Sequence, residues 1–192
     1  MVVTCLKLGN KYSADYVNKL FHMVERHLTI PHRFVCVTDD PADVECETIP
    51  YIDSLPGWWG KLTFFKKRPY DFKGRMLYLD LDVVILENID EIAEFPHDFG
   101  IINDWHVPTY NSSVFVLDAG SRRKVWDKFN ERVMRRLPGD QDWITQHAKA
   151  HTFPEQWCLS YKSHSPVGKI MVFHGKPNPH EVPDEWVMEN WI

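Results

Sequence analysis

Alternating apolar and polar stretches divide the chain into the strands and helices of an α/β protein. Residues 2–7 and 33–38 are short apolar runs bounded by turn-forming residues, which predicts a strand at each. Between them, apolar residues recur at helical spacing from Tyr16 to Leu28. This spacing predicts an amphipathic helix that begins after Ser13 and ends before Pro31. A strand, a helix and a strand in this order indicate two parallel strands joined by a crossover helix.

The same patterning continues to the end of the sequence. Residues 75–79 are apolar except for the first, which is typical of a central strand covered on both faces. Residues 57–60 are predicted to form a loop and residues 61–67 a helix. Further strands are predicted near 48–50, 99–102, 113–117, 157–161 and 170–173, and further helices at 121–136 and 141–149.

A chain of 192 residues with these elements fits one domain. The predicted fold class is α/β, with a central mixed, mostly parallel sheet flanked by helices. No linker or repeat divides the sequence. Within the single domain, the sequence is taken as two halves, residues 1–82 and residues 83–192.

Charge and hydropathy exclude several classes of partner. The net charge is −5, whereas a nucleic-acid-binding domain normally carries a basic face. Lys66–Arg68 is taken as the basic cluster of the chain and interpreted as a solvated helix end. No apolar stretch reaches the ~20 residues of a membrane span, and no basic segment precedes the first strand as in a signal peptide. We therefore expect a cytoplasmic protein with no nucleic-acid partner.

Two carboxylates stand one residue apart where the central strand ends. Asp80 and Asp82 are flanked by apolar residues on both sides, and burying an unpaired carboxylate is costly. A divalent cation is a natural partner, since hard oxygen ligands suit Mg²⁺ or Mn²⁺. Ligands of open α/β sheets also bind at the carboxyl ends of strands. The pattern predicts a metal site, with a pair of capping or turn carboxylates as the alternative.

Three further polar sites follow, each beside the end of a strand or helix. Asn111 lies just before an apolar strand, and Asp140-Gln141 opens a predicted helix. His174 ends the last predicted strand and is followed by Gly175-Lys176. An imidazole can complete a carboxylate metal site, a lysine can hold phosphate, and glycine lets a ligand approach the backbone. Each has an ordinary structural explanation when taken singly, but together they predict an active site.

These motifs resemble those of the GT-A glycosyltransferases, and most closely glycosyltransferase family eight, the group of glycogenin and bacterial galactosyltransferases. Gly60–Thr63 and Arg75–Ile85 are similar to that family's lysine-bearing helix and D-x-D strand. Asn111–Val116 resembles its asparagine-serine-glycine strand, and Asp140-Gln141 its aspartate-glutamine pair. His174–Pro177 looks like a shortened form of its histidine-glycine-lysine-proline signature, which in the family contains additional residues between the histidine, the glycine and the lysine.

The resemblance implies a metal-dependent hexosyltransferase with a Rossmann-like GT-A domain. In such a domain, residues 1–82 would form the nucleotide-binding half and residues 83–192 the half that binds the sugar and the acceptor. It implies a nucleotide-sugar donor, by family default a UDP-sugar, an unknown glycan, lipid-linked or protein acceptor, and transfer with retention of the anomeric configuration. The metal, Mn²⁺ or Mg²⁺, would be held by Asp80, Asp82 and His174. The donor sugar would be lined by Asp104, Asn111, Asp140 and Gln141, with Lys61 beside them. The donor nucleotide would be bound by Thr4, Leu6, Tyr12, Asp39 and Leu81, and its phosphates by Gly175 and Lys176.

Three other functions fit parts of the sequence. A phosphatase of the haloacid dehalogenase type also has an apolar strand followed by D-x-D, but normally near the N-terminus and with a downstream aspartate pair that we do not find here. A nucleotidyltransferase would need a basic, glycine-rich loop after the first strand, and Leu8–Lys11 is too sparse. A non-catalytic domain that binds sugars or nucleotides would be expected to have a broken metal triad.

Overall fold

The computed structural model describes all 192 residues, Met1–Ile192, as ten strands, five α-helices and four short 3₁₀ helices. The strands are β1 (Val2–Lys7), β2 (Arg33–Thr38), β3 (Glu47–Pro50), β4 (Arg75–Leu79), β5 (Val83–Ile85), β6 (Phe99–Asn103), β7 (Tyr110–Asp118), β8 (His151–Thr152), β9 (Cys158–Ser160) and β10 (Ile170–Val172). The α-helices are α1 (Ala14–His27), α2 (Asp90–Ala93), α3 (Lys124–Asp127), α4 (Asp140–His147) and α5 (Glu185–Asn190). The 3₁₀ helices are Gly57–Phe65, Pro69–Asp71, Val133–Arg135 and Pro179–Glu181.

Seven of the strands form a central sheet in the order β3-β2-β1-β4-β7-β6-β8. Four of the six neighbouring pairs are parallel, and the two that involve β7 are antiparallel. The first two strands and the crossover helix α1 lie where the apolar pattern predicts them. The predicted mixed, mostly parallel sheet is therefore confirmed.

Helical elements cover both faces of the central sheet. Side chains of β1 alternate between two apolar clusters, because successive residues of a strand point to opposite faces. Val3 belongs to a cluster of 32 buried residues that includes those of α1. Val2 belongs to a second cluster, of 20 buried residues, with Trp59 and Trp143. None of the helices is both long enough and apolar enough to cross a lipid bilayer.

The remaining three strands form a second sheet, in the order β5-β10-β9, that the sequence analysis does not foresee. The chain passes from β4 in the large sheet to β5 in the small one through residues 80–82. The amide of Asp80 still donates to the carbonyl of Ser113 beside β4, at 2.8 Å. The carbonyl of Asp82 accepts from the amide of Phe173 after β10, at 2.9 Å. The two carboxylates therefore stand at the junction of the two sheets.

Two predicted helices are wrong in extent. Residues 57–65 form one 3₁₀ helix where a loop followed by a helix at 61–67 is predicted. Trp59 to Phe65 are all buried. The segment is therefore packed on all sides, whereas an amphipathic surface helix buries only one face. Residues 121–136 contain only α3 and a 3₁₀ turn. There Asn130 accepts the amide of Arg132 through its side chain and that of Val133 through its carbonyl, a local arrangement that competes with the helix.

Candidate active site

A cavity of about 450 Å³ opens at the carboxyl ends of β1 and β4. Strand β7 is antiparallel to β4, so its first residues lie at the same edge of the sheet, and the segment after β10 completes the wall. Eleven of the fifteen predicted site residues line this cavity: Leu6, Tyr12, Lys61, Asp80, Leu81, Asp82, Asn111, Asp140, Gln141, His174 and Gly175. The structure thus brings most of the predicted site together.

The two carboxylates have different hydrogen-bond partners. Asp80 accepts from the ammonium of Lys61 at 2.7 Å through Oδ2, and from the hydroxyl of Tyr78 at 2.9 Å through Oδ1. Asp82 accepts from the hydroxyl of Tyr12 at 2.6 Å. Tyr78 and Asp80 are two residues apart at the end of a strand, which places their side chains on one face. Asp80 is thus held in an ion pair, whereas Asp82 has only a neutral donor.

Burial and charge repulsion act together on Asp82. Burial, together with the nearby Asp80 carboxylate, raises the pKa of Asp82 to about 6, while the Tyr12 hydroxyl opposes the shift. The side chain is almost fully buried and has no cation as a direct partner. A carboxylate in this position gains from any cation that enters the cavity.

A buried chain of polar contacts links Lys61 to Asp140. Lys61 lies 3.3 Å from the Ser112 hydroxyl, which donates to Asp140 Oδ2 at 2.7 Å. Burial disfavours the ammonium of Lys61, but Asp80 and Asp140 outweigh it and raise its pKa. Burial raises the pKa of Asp140, and Lys61 and Ser112 partly offset that rise. One lysine therefore offsets the charges of the buried Asp140 and the partly buried Asp80, which belong to different elements.

His174 is at the cavity wall but turned towards other partners. Its Nε2 is 2.7 Å from the Ser160 hydroxyl, and its ring stacks on Trp105 at a centroid distance of 5.5 Å. Burial and the nearby Lys162 lower the pKa of His174. The neutral imidazole that this favours is the form that binds metals.

The three predicted metal ligands are of the types that bind Mn²⁺ or Mg²⁺, but their side chains do not meet at one point. Asp80, Asp82 and His174 offer two carboxylates and an imidazole to one cavity. No group of three His, Cys, Asp or Glu side chains in the chain is close enough to hold a metal ion. The carboxylates are tied to Lys61 and Tyr12, so coordination by all three predicted ligands requires side-chain rearrangement.

Four predicted site residues do not line the cavity. Thr4 is fully buried and donates to the Val35 carbonyl at 2.9 Å. Asp39 accepts the amide of Gly9, so it shapes the loop after β1. Asp104 accepts from the side-chain amide of Asn111, which does line the cavity, at 3.1 Å.

The fourth, Lys176, does not line the cavity because its side chain forms an ion pair within its own segment. Its ammonium pairs with Glu181, which also accepts from the backbone and side-chain amides of Asn178 in a capping box. Gly175, with φ of 76°, turns the chain between His174 and Lys176. Residues two apart share a face only on an extended backbone, and the turn at Gly175 removes that condition for His174 and Lys176.

Several residues at the site are not predicted from the sequence. Ser112 donates to Asp140 and Tyr78 donates to Asp80, and Lys11 and Trp58 lie at the cavity wall. Half-exposed Trp58 stands beside Gly139, where an added Cβ would lie 3.6 Å from the indole nitrogen. The two-residue spacing of Tyr78 and Asp80 on a strand was the available signal for Tyr78.

Lys162 also lies near the site, although it is remote in sequence from every predicted motif. Its ammonium is 3.5 Å from the position that a Cβ on Gly175 would occupy. It comes two residues after Ser160, whose hydroxyl accepts the Lys162 amide at 3.2 Å. No sequence pattern indicates this lysine, because its segment is polar and irregular.

No model of a known protein family matches the sequence, and no curated protein sequence matches it either. Solved structures do resemble the fold. The glycosyltransferase GlyE of Streptococcus pneumoniae matches 99% of this chain with a TM-score of 0.73 and 13% identity. The chain spans 61% of the length of GlyE.

Structures of the galactosyltransferase LgtC match as well. The complex of LgtC with donor and acceptor sugar analogues aligns with 93% of this chain and 89% of LgtC, with a TM-score of 0.66 and 12% identity. An active-site mutant of LgtC aligns with 98% and 93%, respectively, with a TM-score of 0.70 and 12% identity. The predicted GT-A fold class is therefore confirmed.

Proposed function

We propose that the protein is a glycosyltransferase that moves a sugar from a nucleotide-sugar donor, by family default a UDP-sugar, to a glycan, lipid-linked or protein acceptor. One observation carries the proposal: Asp80, Asp82, Lys61 and Asp140 line a single cavity at the carboxyl ends of β1 and β4. Ligands of open α/β sheets bind at this edge. The fold that glycosyltransferases share with this chain supports the same conclusion.

Different residues around the cavity are proposed to contact different parts of the donor. Leu6, near the end of β1, and Tyr12, in the segment after it, are proposed to contact the nucleotide. Asp39 is proposed to hold the loop between them through the Gly9 amide. Lys61, Asn111, Asp140 and Gln141 are proposed to line the donor sugar. The Lys61–Ser112–Asp140 chain would hold these polar groups in fixed positions, which lowers the entropy lost when the sugar is oriented. Asp104 would orient the Asn111 amide, and retention of configuration remains part of the proposal.

Asp80, Asp82 and His174 are the residues proposed to hold the metal. When bound, Mn²⁺ or Mg²⁺ would supply Lewis-acid stabilisation of the leaving nucleoside diphosphate. The carboxylates would separate from Lys61 and Tyr12 to reach it. Lys61 would then remain beside Asp140, and the Tyr12 hydroxyl would be free to donate to the donor.

Donor binding is expected to depend on a divalent cation. Two carboxylates repel a diphosphate unless a positive charge lies between them. A thermal-shift screen of nucleotide sugars with Mn²⁺ should find the donor class, because a ligand that binds only the folded state raises the melting temperature. Calorimetry with that donor should show binding in Mn²⁺ and greatly weakened binding in EDTA. Undiminished binding in EDTA would contradict a metal bridge.

Lys162 and Lys176 are both candidates for binding the donor diphosphate, and substituting each one separately tests which of them does so. Lys162→Ala is expected to lower donor affinity or turnover about ten- to a hundredfold, because a charge-assisted hydrogen bond contributes roughly 1.5–3 kcal/mol. Lys176→Ala removes a second exposed lysine, which is paired with Glu181, and a small effect is expected. Steady-state kinetics of the two variants decides between them. A silent Lys162→Ala together with an impaired Lys176→Ala would favour the role that the family resemblance implies.

A further inference from the structure

Positive charge is concentrated in one segment of this acidic chain. Residues 122–136 contain seven of the 22 Lys and Arg but only two of the 27 Asp and Glu. The segment therefore carries +5, and the rest of the chain −10. The sequence analysis took Lys66–Arg68 as the basic cluster and overlooked this larger one, because its charges are spread over fifteen residues.

Three arginines of this segment line one pocket. Arg132, Arg135 and Arg136 are spaced i, i+3 and i+4 along a helical turn, so their side chains share a face. Val133 is buried beneath that turn. The pocket has a volume of about 770 Å³, and its other lining residues are Asn130, Glu131, Val133 and Trp143. We call it the arginine pocket.

The three guanidinium groups have no partner within the protein. Elsewhere in the segment, Arg122 pairs with Asp98, and Arg123 pairs with Asp127. No acidic side chain lies within 4.0 Å of a charged nitrogen of the three pocket arginines, and none of their side chains makes a hydrogen bond, although Glu131 is at the rim. Guanidinium groups bind phosphate with paired hydrogen bonds. We propose that the arginine pocket binds a phosphate group carried by the acceptor.

The place of the pocket in the fold supports an acceptor. Pro138 and Gly139 line the donor cavity and follow Arg136 by two and three residues. Two residues span at most about 7 Å of chain, so the pocket adjoins the cavity. Helix α4 contributes Asp140 to the cavity and Trp143 to the pocket. This inference rests on the proposed transferase function for the identity of the ligand, but the phosphate site can be tested without it.

Calorimetry with inorganic pyrophosphate tests the pocket directly. EDTA is present, so that the Asp80 and Asp82 carboxylates cannot bind the probe through a cation. The wild-type protein is expected to bind, and the variant Arg135→Glu/Arg136→Glu to bind at least about tenfold more weakly. The control Lys124→Glu/Lys128→Glu makes the same charge change at exposed residues of the same segment that do not line the pocket. It should retain affinity.

Vesicle sedimentation identifies the source of the phosphate. Vesicles of phosphatidylglycerol are compared with vesicles of phosphatidylcholine for the same three proteins. Phosphatidylglycerol binding that only the arginine variant loses would support a lipid-linked acceptor, and loss of pyrophosphate binding alone would support a soluble phosphorylated one. No binding of either probe by the wild type, or equal losses in both variants, would overturn the proposal. The transferase proposal would fail on a different result, the absence of metal-dependent nucleotide-sugar binding.

Discussion

Asp82→Ala is expected to abolish sugar transfer and to leave the fold intact. The carboxylate is buried beside Asp80, and this environment raises its pKa to about 6, so its removal relieves repulsion in the folded state. Loss of a metal-binding carboxylate is expected to lower kcat/KM by roughly a thousandfold, equivalent to about 4 kcal/mol of transition-state stabilisation. Kinetics and thermal unfolding of the same preparation measure both effects.

Two further substitutions isolate the charge of Asp82. Asp82→Asn keeps the size of the side chain and should be as inactive as Asp82→Ala. Tyr12→Phe removes the hydroxyl that donates to Asp82 at 2.6 Å but leaves the carboxylate, so a much smaller loss of activity is expected. If Asp82→Ala lowers the melting temperature and the activity together, Asp82 is structural and the metal role is lost.

Lys61→Met is expected to give the largest loss of stability among these variants. Lys61 donates to Asp80 at 2.7 Å, and its charge also offsets the burial of Asp140. Removing one partner of a buried ion pair leaves an uncompensated charge and destabilises a protein by about 3–5 kcal/mol. In a chain of this size, a loss of about 3 kcal/mol lowers the melting temperature by roughly 6–12 °C. Thermal unfolding at neutral pH measures the change.

A double substitution shows whether the loss comes from the unpaired carboxylate. Lys61→Met/Asp80→Asn removes both charges, so part of the stability lost in Lys61→Met should return. The double-mutant cycle gives the coupling energy between the two side chains. A melting temperature of Lys61→Met equal to that of the wild type would mean that the acids are compensated in another way, and would contradict the central role given to Lys61.

The local spacing of apolar residues was sufficient to predict the most regular strands and the longest helix. Strands β1, β2 and β4 and helix α1 lie where the apolar spacing predicts them, because each buries one or both faces in the usual way. The helix predicted over residues 121–136 failed at Asn130, whose local hydrogen bonds interrupt it. The spacing of apolar residues does not show where a polar side chain will compete for backbone hydrogen bonds.

Most of the site residues predicted from the sequence, eleven of fifteen, line the cavity. These residues include Asp80 and Asp82, which follow β4, Asn111 near the start of β7, and Asp140 at the start of α4. The ends of these elements meet at one edge of the sheet. The sequence contained the types of residue and their order along the elements. The single-domain organisation with two halves, the metal and the donor remain predictions.

Only the tertiary structure decided how these groups are paired. Tyr12 reaches Asp82 across 70 residues of sequence, and Lys61 reaches Asp80 across 19. Lys162 lies beside Gly175, while Lys176, the lysine within the motif, is held by Glu181. Sequence spacing determines which side chains share a face of one strand or helix. Contacts between elements depend on how the chain crosses from the large sheet to the small one, and that crossing follows from the packing of the whole core.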